Sequence, residues 1–121
     1  MIEKSVFSFE RLDVYRKALK FTDTIFDICN KFPNNIQYSL GDQLRRAALS
    51  IVNNIAEGSD KSSLKEKRKF YEYALDSARE CIPMLTIVAL HGLIAKDFEG
   101  NLREDCTVIC KMLRKLILSV H

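Results

Sequence analysis

The chain has 121 residues, of which 47% are hydrophobic and 29% charged, a balance that excludes disordered and fibrous classes and favours one soluble globular domain over residues 1–121. Its formal net charge of +3 is too small to indicate nucleic-acid binding by itself, so any such argument depends on where the cations lie. Only four glycines and two prolines interrupt the chain, which favours a few long elements.

The apolar periodicity of the first half predicts two helices. The first helix is expected over residues 12–31, with two apolar rows at helical spacing, and Pro33 ends it because proline disfavours helical geometry in the residue before it. The second is expected to begin with Ser39 as its N-cap and to end at Glu57. Gly58 would then occupy the left-handed position that follows a helix.

The second half predicts two more helices, and no segment shows the alternation of a strand. Ser63 and Glu66 form a capping box that opens the third helix, and Gly92 ends it. Pro83 lies inside that helix and should kink it. Asp97 is expected to cap the fourth helix. The predicted fold is all-α, an up-down-up-down antiparallel four-helix bundle. The predicted core row of the fourth helix is Phe98, Leu102, Cys106, Ile109, Leu113, Leu116 and Val120.

The N-terminal sequence MIEKSVFSFERLD lacks the apolar core of a signal peptide. The most apolar segment, residues 82–95, is shorter than the roughly 20 residues that a membrane-spanning helix needs. We therefore expect a cytoplasmic protein with reduced thiols and no contact with a membrane. Cys106 and Cys110, four residues apart, could chelate a metal, but the usual zinc spacings are missing. Buried thiols are the favoured interpretation for Cys29, Cys81, Cys106 and Cys110, with no metal or cofactor.

A row of polar residues runs beside the apolar stripe of the second helix, and the third helix carries a matching row. We interpret the two rows as a polar seam that fixes how these helices pair, with Arg46 bound to the carboxylate of Asp76 or Glu80. A catalytic site is the less favoured interpretation, because no set of nucleophile, base and orienting group is present, and we expect no enzyme activity. The predicted seam comprises Gln43, Arg46, Ser50, Asn54, Glu57, Tyr73, Ser77 and Glu80.

Positive charge is concentrated where the third helix begins. A helix N-terminus repels cations, so their presence there indicates a use such as phosphate contact, although a simply solvated helix end is the alternative. Tyr71 and Tyr73 are close enough in sequence to offer stacking, and the alternative is that both are core or seam residues. Lys111, Arg114 and Lys115 lie near the end of the fourth helix, where the dipole explains them. The predicted nucleic-acid-binding residues are Lys61, Lys65, Lys67, Arg68 and Lys69, which we call the basic cluster, with Arg45 as an outlying helper.

Three segments of the chain, FERLDVYRKAL, QLRRAALSIVNNIAEGSDK and FYEYALDSARE, resemble the bacterial four-helix-bundle family encoded in intervening sequences of 23S ribosomal RNA genes. The resemblance covers roughly residues 9–118, and Pro83 departs from the family pattern. It implies a small bundle that assembles as a pentameric ring, with a role thought to involve RNA. A more distant relative is the accessory protein of diversity-generating retroelements, which binds a reverse transcriptase and nucleic acid. The residues that match the family pattern most specifically include Arg46, Ser50, Asn54, Glu57, Ser77 and Glu80.

The leading functional hypothesis is a non-enzymatic, homo-oligomeric helical-bundle protein that binds structured RNA or another nucleic acid through the phosphate contacts of the basic cluster. The alternative is a protein-interaction scaffold, such as the accessory subunit of a reverse transcriptase. That alternative would use the surplus apolar surface of the first helix and of residues 82–90, which also favours self-association.

Overall fold

Four long helices build the computed structural model, which describes residues 7–121. A 3₁₀ turn at Ser8–Arg11 comes before them, and a helical turn at Asn34–Ile36 runs into a π-helical segment at Gln37–Gly41. The predicted all-α class is confirmed, and residues 7–121 contain no strand. The first six residues of the segment analysed for a signal peptide lie outside the described residues. The helices are α1 (Asp13–Cys29), α2 (Asp42–Asp60), α3 (Leu64–Leu90) and α4 (Lys96–Ser119).

The helices pack as neighbours around one apolar core. The most extensive contacts join α2 to α3 and α3 to α4, followed by those of α1 with α2 and with α4. On α1 one of the two predicted apolar rows is buried, whereas the other is partly open, with Leu19 48% exposed. Each large aliphatic side chain removed from water contributes roughly 1.5–3 kcal/mol. The largest fully buried aliphatic side chains are Ile25, Leu44, Ile51, Ile55, Leu85, Val88, Ile109 and Leu113.

Two predicted helix caps are wrong. Ser39 does not begin a helix, because the chain is already helical before it, and its hydroxyl donates backwards to the carbonyls of Asn35 (3.1 Å) and Ile36 (3.3 Å). The N-cap of α4 is Ala95, which makes no side-chain cap bond. Asp97 lies in the first turn of α4, where its charge complements the helix dipole without capping a backbone N–H.

Gly58 is not the residue that ends α2, contrary to the sequence prediction. The helix continues to Asp60, and the only positive φ among the described residues is that of Gly92. Gly58 is buried instead beside the ring of Tyr71. A Cβ at position 58 would lie 2.7 Å from Cε1 of Tyr71 and 2.8 Å from Cδ1. The glycine is therefore required for the close approach of α2 and α3 near their turn.

The positions predicted for the two ends of α3 are confirmed, but only one of the two hydrogen bonds of the predicted capping box forms in the described residues. The Ser63 hydroxyl accepts a hydrogen bond from the backbone N–H of Glu66 at 3.0 Å, and Gly92 follows the helix with φ of 71°. The helix runs through Pro83 to its end, and the kink expected there stays a prediction. Phe98 is 38% exposed, so its predicted place in the core row of α4 is wrong and that row begins one turn later.

Candidate nucleic-acid interface

The turn between α2 and α3 presents most of the basic cluster on one side of the molecule. Lys65 and Lys69 are exposed and form no ion pair within the described residues. Lys65, Arg68 and Lys69 line one shallow depression, which the carboxylates of Glu66 and Glu72 share. Lys61 is partly exposed and lies 3.3 Å from the carboxylate of Glu57, an exposed pair of the kind that contributes little to stability.

Aromatic rings lie among these cations. The ammonium of Lys61 is 5.0 Å from the centre of the Phe70 ring, and that of Lys69 is 5.9 Å from the same ring and 6.0 Å from Tyr73. Phe70 and Tyr73 contact each other edge to face at 5.7 Å, and Tyr73 is 45% exposed. We call Lys61, Lys65, Arg68, Lys69, Phe70 and Tyr73 the basic–aromatic face.

The aromatic part of this face was only half predicted. Tyr71 is 3% exposed and belongs to the core, so it offers no stacking surface, and burial raises its pKa. Phe70 was missed, although it lies one residue after Lys69 and a single turn before Tyr73 and Ala74. The signal that would have found it is the group of aromatic residues at 70–73 that directly follows the lysines at 65–69.

Lys67 points away from the basic–aromatic face. Its ammonium donates to the carbonyl of Ser59 at 2.8 Å and to that of Gly58 at 3.5 Å. These carbonyls belong to the last turn of α2, where carbonyls lack the usual helical N–H partners, although that of Gly58 also accepts the backbone N–H of Lys61 at 3.3 Å. Lys67 therefore holds the turn together.

Arg45 is not brought to the basic cluster. It lies near the start of α2, about 22 Å along the helix axis from Asp60. Its guanidinium pairs with Asp42 at 3.1 Å and donates to the backbone carbonyl of Gln37 at 3.3 Å, and its side chain is 17% exposed. The guanidinium anchors the π-helical segment to α2 and is not available to the turn.

The centre of the polar seam is a set of hydroxyl and amide groups between α2 and α3. Ser77 donates to the hydroxyl of Ser50 at 2.9 Å, which joins the two helices. Asn54 donates to the same hydroxyl at 2.9 Å and to the Ser50 carbonyl at 2.8 Å. A depression of about 390 Å³, which we call the seam pocket, opens above this centre. Its lining residues are Gln43, Arg46, Ala47, Ser50, Ser77, Glu80 and Met84.

The predicted ion pair of Arg46 is absent. Arg46 is exposed and has no hydrogen bond or ion pair within residues 7–121, although Glu80 lines the same pocket. An exposed pair gains at most about 1 kcal/mol, which does not overcome the entropy of fixing two long side chains. Glu57 and Tyr73 also lie outside the seam pocket, since Glu57 pairs with Lys61 and Tyr73 belongs to the basic–aromatic face.

All four cysteines are buried thiols, as predicted. Desolvation raises the pKa of Cys29 to about 11. The hydrogen bond from Cys110 lowers the pKa of Cys106, but hydrogen bonding with Cys81 and desolvation outweigh it and raise that pKa to about 12. In the described part of the chain, no group of three or more His, Cys, Asp or Glu residues could hold a metal ion, and no helix is long and apolar enough to cross a membrane.

Comparisons with known proteins agree with this fold. A family model described as 23S rRNA-intervening sequence protein matches residues 10–115. No protein with a curated description matches the sequence. A solved structure from Bacteroides thetaiotaomicron, a protein of unknown function from the S23 ribosomal protein family, is similar with a TM-score of 0.80 and 25% sequence identity, over 86% of this chain and 94% of that one. The chain belongs to the 23S rRNA-intervening sequence protein family, which confirms the resemblance found in the sequence.

Proposed function

We propose that this protein is a non-enzymatic RNA-binding protein and that its basic–aromatic face contacts the phosphates of a structured RNA. The observation that carries the proposal is the exposure of Lys65 and Lys69, without ion pairs in the described residues, beside the exposed ring of Tyr73. Cations of this kind neutralise phosphates, and aromatic rings stack with unpaired bases whatever their sequence.

The charge of the face determines how binding should respond to salt. Four cations that each neutralise one phosphate give a slope of about −3 in a plot of log affinity against log salt. Affinity should then fall roughly 60-fold between 50 and 200 mM salt. Little base reading is expected, because phosphate contacts carry no sequence information directly.

Fluorescence anisotropy of a labelled RNA stem-loop, titrated with protein at 50 and 200 mM salt, tests the proposal. The variant is the triple substitution Lys65→Glu, Arg68→Glu and Lys69→Glu. The control is Lys111→Glu, Arg114→Glu and Lys115→Glu, which changes the net charge equally but lies on α4 and is also exposed. We expect the first variant to lose binding and the control to keep most of it. Equal weakening by both, or no binding by the wild type at 50 mM salt, would overturn the assignment.

A protein-interaction scaffold is a second candidate, favoured by an apolar groove of about 580 Å³ on α1. This groove is lined by Leu19, Thr22 and Phe26 and by the charged residues Arg16, Lys20 and Asp23. Another copy of the chain, in a ring of five as the resemblance implies, or a protein such as a reverse transcriptase would bind there. Light scattering after size-exclusion chromatography tests self-association. A wild-type oligomer that Leu19→Asp converts to a monomer supports it, and a wild-type monomer rejects it.

A further inference from the structure

The seam pocket contains a hydroxyl proton that the protein leaves without an acceptor. The Ser50 oxygen accepts hydrogen bonds from both Ser77 and Asn54. A serine hydroxyl also carries one proton to donate, and within residues 7–121 no acceptor receives it. Ser50 is half-buried and lines the pocket, so this donor is accessible to a ligand in the pocket. The pocket floor therefore offers a hydrogen-bond donor to a ligand oxygen.

The charges of the seam pocket are balanced but unpaired. Arg46 supplies one guanidinium and Glu80 one carboxylate, and neither has an ion-pair partner in the described part of the chain. With Ser50, Arg46 offers donors to an oxyanion, and Glu80 offers an acceptor to a hydroxyl. A ligand that fits this set carries an anionic oxygen group and a hydroxyl donor in one compact unit. Because these two charges cancel, the pocket does not attract polyanions without further recognition.

The seam pocket lies on the same side of α3 as part of the basic–aromatic face. Lys69, Tyr73 and Ser77 follow one another at intervals of four residues, which places them on one row about 6 Å apart along the helix. An RNA strand with a phosphate on Lys69 and a base against Tyr73 therefore continues toward Ser77 and the pocket. This continuity favours RNA over a protein carboxylate as the occupant.

We propose that the seam pocket binds one ribonucleotide unit, with the phosphate on Arg46 and Ser50 and the ribose 2′-hydroxyl on Glu80. DNA lacks that hydroxyl, so the pocket selects RNA over DNA, which the basic–aromatic face cannot do. The inference rests on the proposed RNA-binding function and assigns it a second, discriminating contact. One charge-assisted hydrogen bond corresponds to about a tenfold preference for RNA.

The ratio of RNA to DNA affinity tests the role of Glu80. Anisotropy is measured with one stem-loop sequence made as RNA and as DNA. The variant Glu80→Ala is compared with Asp76→Ala, which removes the same charge from an exposed position of α3 that does not line the pocket. We expect the wild type and Asp76→Ala to prefer RNA about tenfold and Glu80→Ala to lose the preference. Equal binding of RNA and DNA by the wild type, or the same ratio in both variants, would overturn the inference.

A second measurement separates this inference from the proposed function. The Lys65→Glu, Arg68→Glu, Lys69→Glu variant lacks the basic–aromatic cations but keeps the seam pocket. Its ¹⁵N-labelled form is titrated with cytidine 3′-monophosphate and with the 2′-deoxy nucleotide. Larger amide shifts at Ser50 and Ser77 with the ribonucleotide, abolished by adding Arg46→Ala, support the pocket even if the stem-loop binds elsewhere. Absence of shifts, or equal shifts with both nucleotides, rejects it even if the basic–aromatic face binds RNA.

Discussion

The contact between Gly58 and Tyr71 makes a sharp prediction about stability. In Gly58→Ala the new Cβ would lie 2.7 Å from the Tyr71 ring and 3.2 Å from the carbonyl of Lys67, where ordinary contacts begin at 3.4 Å. The ring is 3% exposed and packed against Ile117 and Val120, so it has little room to move. Overpacking of this kind costs about 1–3 kcal/mol, whereas replacing a helical glycine by alanine gains at most about 1 kcal/mol. We expect a net loss of about 1–2 kcal/mol.

A second glycine supplies the matched control. Gly100 lies in α4 and is exposed, and a Cβ there would meet no atom within 4 Å. Gly100→Ala should therefore raise the free energy of unfolding by about 0.5–1 kcal/mol through helix propensity alone. Urea unfolding followed by circular dichroism measures both variants. If Gly58→Ala stabilises the protein as much as Gly100→Ala, close packing is not the reason for the glycine.

Three further predictions concern a cap, a buried hydroxyl and the thiols. Ser63→Ala should lose about 1 kcal/mol in urea unfolding and Ser63→Asp should not, because only the alanine leaves the α3 N-terminus uncapped. Thr22→Val should lose about 1 kcal/mol in the same assay, because the buried Thr22 hydroxyl donates to the carbonyl of Ala48 at 3.1 Å. The pKa of the Cys29 thiol is raised to about 11 in the folded protein, so above pH 9 the unfolded chain loses this proton while the folded protein keeps it. The melting temperature should therefore fall as the pH rises from 9 to 11, and it should fall less in Cys29→Ala. An unchanged free energy of unfolding in Ser63→Ala or in Thr22→Val, or the same pH dependence of the melting temperature in the wild type and Cys29→Ala, would contradict the corresponding argument.

Apolar periodicity predicts the four helices. Their exact ends and their contacts depend on residues that are distant in sequence but close in the fold. Ser63 was identified correctly because a cap is a local signal. Ser39 was not, because a serine before an acidic first turn looks the same whether or not the preceding residues are already helical. Gly58 looked like a helix terminator, since no sequence pattern records that Tyr71 of the next helix packs against it.

The candidate site was also predicted only in part from the sequence. Charge density located the turn between α2 and α3, but it could not distinguish cations that reach solvent from those that bind the protein itself. Lys67 caps the carbonyls of α2, and Arg45 is committed to Asp42 and Gln37. Conversely, Arg46 was predicted to be paired and is open. Helical spacing gives the side of a helix on which a residue lies, but not the width of the groove that separates it from a partner.

The position of the exposed lysines supports a functional explanation for them. Lys65 lies in the first turn of α3, where the helix dipole opposes a cation by about 0.3–1 kcal/mol, while the acidic Glu66 beside it is favoured. Lys67 offsets this by capping α2, and Lys69 lies beyond the first turn over the Phe70 and Tyr73 rings, but Lys65 has no such compensation in the described residues. A sequence shaped by stability alone would place carboxylates there. The proposed phosphate contacts supply the missing reason. In the same proposal the lysines attract nucleic acid, and the charge-balanced seam pocket next to them selects RNA over DNA.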